Sequence, residues 1–137
     1  MDLEAVLFDF DGTLVRLVID FEAMRRRVRE VALAHGVDLA RYGRLYILEF
    51  IEQVGADLGK GDPARAARFR RQAAEAVLAE EIVAAREAEV FPGVPELLQK
   101  LCDEGFKVGI VTRNCRRAVE EILARTALAY HVLLTRD

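Results

Sequence analysis

Two carboxylates, Asp9 and Asp11, stand at the end of an apolar run, Ala5-Val6-Leu7-Phe8-Asp9-Phe10, and are followed by Gly12 and Thr13. Residues i and i+2 of a strand point to the same side. At a strand end the two acids can therefore converge on one spot, and that end of an open α/β sheet is where ligands bind. Gly12 permits the sharp turn and close backbone approach that such a spot needs. Acids this close repel, so the pair calls for a cation or a shared proton. A hard divalent ion suits it, and Mg²⁺ typically takes one or two carboxylates plus a substrate phosphate while keeping several waters. The plainer alternative is a surface Asp-Gly turn beside an unrelated acid. The apolar residues just before the pair argue against it.

The elements that must position these acids follow from periodicity. Ala5–Phe10 is short and nearly continuous in its apolar residues, as in a buried strand of a parallel sheet. A long helical stretch then runs from about Asp20 to Glu89. Asp20 can cap a first helix carrying Phe21, Met24, Val28, Val31 and Ala32, with Gly36 as its stop. Arg25, Arg26, Arg27 and Arg29 mostly fall off that stripe and read as a solvated face, with a substrate-facing role for one arginine as the alternative. A second helix is predicted to carry Tyr42, Leu45, Tyr46, Ile47, Phe50, Ile51 and Val54, with a loop over Gly55–Asp62. Asp62-Pro63 opens a third helix running to about Ala88.

Phe91-Pro92-Gly93-Val94 breaks the helical pattern. Pro95 starts a short helix with Leu97, Leu98 and Leu101, closed by Gly105. Phe106–Thr112 and His131–Leu134 read as further strands, with a helix bearing Val119, Ile122 and Leu123 between them, which Asn114 can cap. Strands alternating with helices imply right-handed crossovers and a parallel sheet. The expected fold is α/β: a Rossmann-like parallel sheet of about three strands with an inserted α-helical cap. Residues 1–15 and 90–137 would form the partial core and residues 16–89 the cap.

Asp9-Phe10-Asp11-Gly12-Thr13-Leu14-Val15 resembles the first signature of the haloacid dehalogenase superfamily, in its phosphatase form with two aspartates. The resemblance implies that Asp9 attacks phosphorus and becomes an aspartyl-phosphate. Asp11 would protonate the leaving oxygen and then activate water. Mg²⁺ would be held by the Asp9 carboxylate and the Asp11 backbone carbonyl. Carboxylate nucleophiles form covalent intermediates of this kind, and a neighbouring acid of suitable pKa supports both steps. Val108-Gly109-Ile110-Val111-Thr112 resembles the second signature. It implies that Thr112 donates its hydroxyl to a phosphate oxygen, and the amides of Arg113 and Asn114 at a helix start can add donors. Asn114 itself is read first as a helix cap and only second as a substrate ligand. Phe91-Pro92-Gly93-Val94 and the leucine-bearing helix after it look like the return from a helical cap in the subgroup related to phosphoglycolate phosphatase and β-phosphoglucomutase. A small phosphorylated metabolite is the implied substrate, with cap closure excluding water.

The family's third signature, a lysine, and its fourth, a second acidic pair, would follow Asp137, where the sequence given stops. The resemblance reads the chain as a C-terminally truncated part of such an enzyme, which leaves its activity alone open. A non-catalytic fragment that binds or self-associates is the alternative. Its first strand would carry an unpaired apolar edge, so a homo-oligomer through that edge is expected.

Composition narrows the rest. The chain has 137 residues, 53% of them hydrophobic and 31% charged, with a net charge of −3. That is a globular composition without a nucleic-acid footprint. No apolar run approaches the roughly 18 residues of a membrane span. The first ten residues carry acids and no basic segment, unlike a signal peptide. Cys102 and Cys115 are too few for a disulfide framework and are read as free thiols in a reducing cytoplasm. No local pattern brings His35 or His131 to Cys115, so it is not read as a nucleophile. Gly55-Ala56-Asp57-Leu58-Gly59-Lys60-Gly61 is one residue short of a nucleotide-binding loop and lacks its Ser/Thr and its strand.

Overall fold

The computed structural model describes residues 3–137. The chain divides into two compact units, Met1–Ile19 with Glu81–Asp137, and Asp20–Glu80.

The first unit holds β1 (Ala5–Asp9), β4 (Lys107–Val111) and β5 (Val132–Leu134) in one parallel sheet of order β1-β4-β5. The register pairs Leu7 with Gly109 and Gly109 with Val132, so these three point to one face. Asp9, Val111 and Leu134 share that face one step along. On the opposite face Val108 and Ile110 are buried, and α4 (Val94–Asp103) packs on β4. α4 begins behind Gly93, whose φ of +84° is the left-handed turn signalled by Phe91-Pro92-Gly93. α5 (Arg116–Leu123) buries Ala118, Val119 and Ile122.

A second, antiparallel ribbon pairs β2 (Val15–Arg16) with β3 (Glu89–Val90). The ribbon joins the outgoing chain to the returning chain. The ends of the span 16–89 that the sequence assigns to a cap therefore lie with the sheet unit, and the compact helical unit is Asp20–Glu80.

The expected buried character of the first strand does not hold. β1 alternates between exposed and half-buried residues, and Leu7 is 72% exposed. Val132 at 50% and Leu134 at 56% lie exposed on the same face. An apolar run predicts burial on both faces only when layers cover both faces. Among the described residues, β1 is an edge strand hydrogen-bonded to β4 alone.

The helical unit contains α1 (Phe21–Ala34), a short 3-10 turn at Leu39–Tyr42, α2 (Ile47–Gly59) and most of α3 (Pro63–Glu87). The Asp20 carboxylate accepts from the Ala23 amide at 2.8 Å and opens α1. Gly36, with φ +68°, follows its end. Met24, Val28 and Ala32 form its buried stripe. Arg27 pairs with the buried Glu80 at 2.6 Å, so one member of the arginine run has a structural partner.

The second helix differs from its predicted bounds at both ends. Tyr42 closes the 3-10 turn, is buried edge-on against Phe50, and donates its hydroxyl to Asp57 at 2.9 Å. Helix α2 starts after an exposed Tyr46 and continues through Gly55 to Gly59, where a loop was expected. A Cβ on Gly55 would lie 2.6 Å from Arg70 Nε. This glycine marks a close approach of α3 rather than a break.

Asp62 caps α3, its carboxylate accepting from the Arg65 amide at 2.9 Å, with Pro63 as the first helical residue. Asp62→Ala should lower stability by about 1 kcal/mol. Urea unfolding followed by circular dichroism measures this, and an unchanged midpoint would show that the cap contributes nothing.

Candidate active site

The site forms where β1 and β4 end side by side, with Asp9 in register with Val111. The chain turns sharply after Asp9. The buried Phe10 carbonyl accepts from the amides of Thr13 at 3.2 Å, Leu14 at 3.0 Å and Val15 at 3.2 Å. Gly12 adopts φ +79° and donates its amide to the Val15 carbonyl at 2.8 Å. A side chain at this φ is strained, which is why glycine follows Asp11. Phe10, Leu14 and Val15 anchor the turn in the core.

Asp9 is exposed at the mouth of this turn, and Thr13 Oγ1 donates to its Oδ2 at 3.4 Å. Asp11 is half-buried. Asn114 Nδ2 donates to Asp11 Oδ1 at 3.4 Å. Burial pushes the Asp11 carboxyl above the usual carboxylate range, and repulsion from Asp9 and Glu81 adds to this. The hydrogen bonds from Asn114 and Thr112 oppose it.

After β4 the chain enters a tight turn. Thr112 is buried, and its amide donates to the Leu134 carbonyl at 2.9 Å. Its Oγ1 accepts from the Asn114 amide at 3.0 Å. The Asn114 amide, expected to be free for a phosphate, is thus already engaged. Asn114 is also not the cap of α5. Its Oδ1 accepts from the Cys115 amide at 2.8 Å, and Cys115 itself caps the helix, with Sγ accepting from the Ala118 amide at 3.4 Å. The helix starts one residue later than predicted because the Asn114 side chain is turned to Asp11. The side chain of Arg113 is exposed. The structure therefore gathers Asp11, Thr112 and Asn114 around one carboxyl, sets Asp9 and Thr13 beside it, and leaves Arg113 at the rim.

Cys115 is buried, and burial pushes its thiol up to about 11, which suits a packed residue rather than a nucleophile. Cys102 is likewise a free thiol, half-buried in α4. Among the described residues, no cluster of three or more His, Cys, Asp or Glu forms a ready-made metal cage. The donor chemistry at Asp9 and Asp11 still fits a hard cation. Two hard oxygen donors belong to the same turn, and the charge of Asp9 adds to the burial that raises the Asp11 carboxyl.

Sequence reasoning missed Glu81 and Arg136. Glu81 is buried and receives Arg136 through Nη1 at 2.7 Å and Nη2 at 2.9 Å. Arg136 also donates to the Arg113 carbonyl at 3.2 Å, and its own amide donates to the Asn114 carbonyl at 3.1 Å. The pair thus braces the turn that carries Thr112 and Asn114. One signal was available: Glu81 falls on the stripe Val77, Ala84, Ala85 and Ala88, where a lone acid needs a partner.

The family model for haloacid dehalogenase-like hydrolases matches residues 3–136. The chain belongs to the haloacid dehalogenase-like hydrolase family. A haloacid dehalogenase-like hydrolase domain-containing protein of Arabidopsis thaliana is 29% identical over 136 residues, covering 98% of this chain and 51% of that protein. Protein CbbY of Rhodobacter capsulatus is 28% identical over 138 residues, covering 92% of this chain and 57% of that protein. The chain spans about half the length of the curated relatives it matches. In fold it is similar to a predicted phosphoglycolate phosphatase of Haemophilus somnus, with a TM-score of 0.55 at 16% identity over 98% of this chain and 63% of that one. Among the described residues, no helix is long and apolar enough to cross a membrane.

Folding raises the affinity of Asp11 for its proton. The stability this proton brings is present below the unfolded carboxyl pKa of about 3.9 and is lost as pH rises through the higher folded value. Asp11→Asn should therefore stabilise the fold at pH 7, with the difference shrinking towards pH 4. Urea midpoints at the two pH values test this, and a variant less stable at pH 7 than the parent would contradict it.

Proposed function

We propose that this chain carries the nucleophile half of a phosphohydrolase acting on a small phosphate monoester. Asp9 attacks phosphorus, the leaving oxygen departs with a proton from Asp11, and an aspartyl-phosphate forms on Asp9. Asp11, now ionised, then takes a proton from the water that releases phosphate. One observation carries the reading: Asp11 is held half-buried against Asn114 and Thr112 with a raised pKa, beside an exposed Asp9. A half-buried acid with a raised pKa next to an open carboxylate is the pairing that this two-step chemistry needs. Thr112 and the rim of the turn around Arg113 would orient the phosphoryl oxygens. Asp9 and Asp11 would hold Mg²⁺, which when bound supplies charge neutralisation between the carboxylate and the phosphate.

The helical insertion between β1 and β4 supports a place in the subgroup related to phosphoglycolate phosphatase and β-phosphoglucomutase. In that reading the helical unit is a cap. The two free thiols support a reducing, cytoplasmic setting.

Calorimetric titration of inorganic phosphate with and without Mg²⁺ tests the site. Mg²⁺ should strengthen phosphate binding by the parent chain, and this gain should vanish in Asp9→Asn. An equal gain in both would remove Asp9 from the site.

A second reading, a self-associating module, has its own observation. Leu7, Val111, Val132 and Leu134 leave one face of a parallel sheet apolar and exposed, and β1 has a free edge among the described residues. Two copies joined there would bury both features. Light scattering should then give twice the mass of one chain, falling to one chain in Leu7→Lys. A monomeric parent at all accessible concentrations would end this reading.

A further inference from the structure

Residues Thr112–Cys115 lie between β4 and α5, outside any regular element, yet two of them meet Asp11. What aims them sits behind the turn. The Arg136 amide donates to the Asn114 carbonyl at 3.1 Å, and Arg136 Nη1 donates to the Arg113 carbonyl at 3.2 Å. In a planar trans peptide the carbonyl of one residue and the amide of the next point in opposite directions. Drawing these two carbonyls to Arg136 therefore turns the Asn114 and Cys115 amides the other way. There the Asn114 amide meets Thr112 Oγ1 at 3.0 Å, and the Cys115 amide meets Asn114 Oδ1 at 2.8 Å. With Oδ1 held by Cys115, Asn114 Nδ2 is left aimed at Asp11 Oδ1, 3.4 Å away.

The direction of Arg136 is itself fixed. Glu81 takes its Nη1 at 2.7 Å and its Nη2 at 2.9 Å, a fork that a planar guanidinium makes and an ammonium does not. Nη1 carries two hydrogens, one for Glu81 and one for the Arg113 carbonyl. Two further bonds tie the ends of the turn to the same C-terminal segment: the Thr112 amide donates to the Leu134 carbonyl at 2.9 Å, and the Arg116 amide to Asp137 Oδ1 at 2.8 Å. Glu81 is buried, and a pair that buries a carboxylate is often no more stable than an apolar pair of the same volume. An apolar pair, however, would give the Arg113 carbonyl no donor and would turn no amide. Among the described residues, neither the Glu81 nor the Arg136 side chain is hydrogen-bonded to Asp9 or Asp11.

We propose that Arg136, locked by Glu81, is a positioning residue of the phosphate site, acting on it only through the Thr112–Asn114 turn. The phosphoryl group it serves is the one that Thr112 would orient. This role rests on the phosphohydrolase reading of Asp9 and Asp11.

The test is a calorimetric titration of the full chain with inorganic phosphate, with and without Mg²⁺, beside urea midpoints and amide hydrogen exchange. Arg136→Lys keeps a cation beside Glu81 but loses the fork. Its phosphate affinity in Mg²⁺ should fall about tenfold. Exchange of the Asn114 amide should quicken, while the amides of β1 and β4 exchange as in the parent. Glu81→Gln removes the charge that anchors Arg136 and should weaken phosphate binding in the same direction. Asp62→Ala, destabilised in the helical unit, should bind phosphate as the parent does, which separates positioning from stability. Parental phosphate affinity in a folded Arg136→Lys or Glu81→Gln overturns the proposal. So does a loss that follows the urea midpoint alone, with Asp62→Ala weakened to match. A parent chain in which Mg²⁺ brings no gain ends the phosphohydrolase reading instead, and the positioning role with it.

Discussion

The turn at Phe10–Val15 is the constraint on which the site depends. One buried carbonyl, that of Phe10, takes up three successive amides, and Gly12 supplies the single backbone conformation that lets it do so. The turn ends β1 and fixes Asp9 at its mouth. It then reverses the chain far enough to bring Asp11 back towards the end of β4. A buried carbonyl with three donors leaves the segment little freedom to slide. The spacing of the two carboxylates is thus set by main-chain bonds rather than by their own side chains.

The second half of the site answers to the first. Thr112 is bound through its amide to β5 and through its hydroxyl to the next turn. Asn114 gives up the helix cap, and a cysteine takes it over with a weaker acceptor. In exchange the Asn114 amide group reaches Asp11. Behind this turn Arg136, paired with the buried Glu81, holds two carbonyls, so a charge pair substitutes for regular structure. Removing Arg136 would strand the buried Glu81 carboxylate without its partner.

Much of this was legible in the sequence because it rests on local rules. Asp20 and Asp62-Pro63 announce helix starts through their own next amides. Asp9, Asp11 and Gly12 announce a sharp turn that places two carboxylates at a strand end. The failures came where a distant neighbour decides the outcome. Gly55 reads as a breaker until Arg70 lies across it. Asn114 reads as a cap until Asp11, more than a hundred positions earlier, claims its side chain. Glu81 and Arg136 are 55 residues apart and belong to no motif. The apolar run of β1 predicts burial, but burial depends on what covers the sheet, which no local pattern specifies.

The β2–β3 ribbon has a consequence for how such a chain can change over time. Val15 faces Val90 and Arg16 faces Glu89, so the two ends of everything between them are pinned one strand spacing apart. Neighbouring strands lie about 4.8 Å from each other. Whatever is spliced between those two points begins and ends in nearly the same place. The entropy of closing a loop grows only slowly with its length. The ribbon therefore works as a socket: a different helical insert, longer or shorter, can be plugged into it without moving Asp9 or Asp11. The turn that carries the two carboxylates and the inserted unit are free to diverge at different rates.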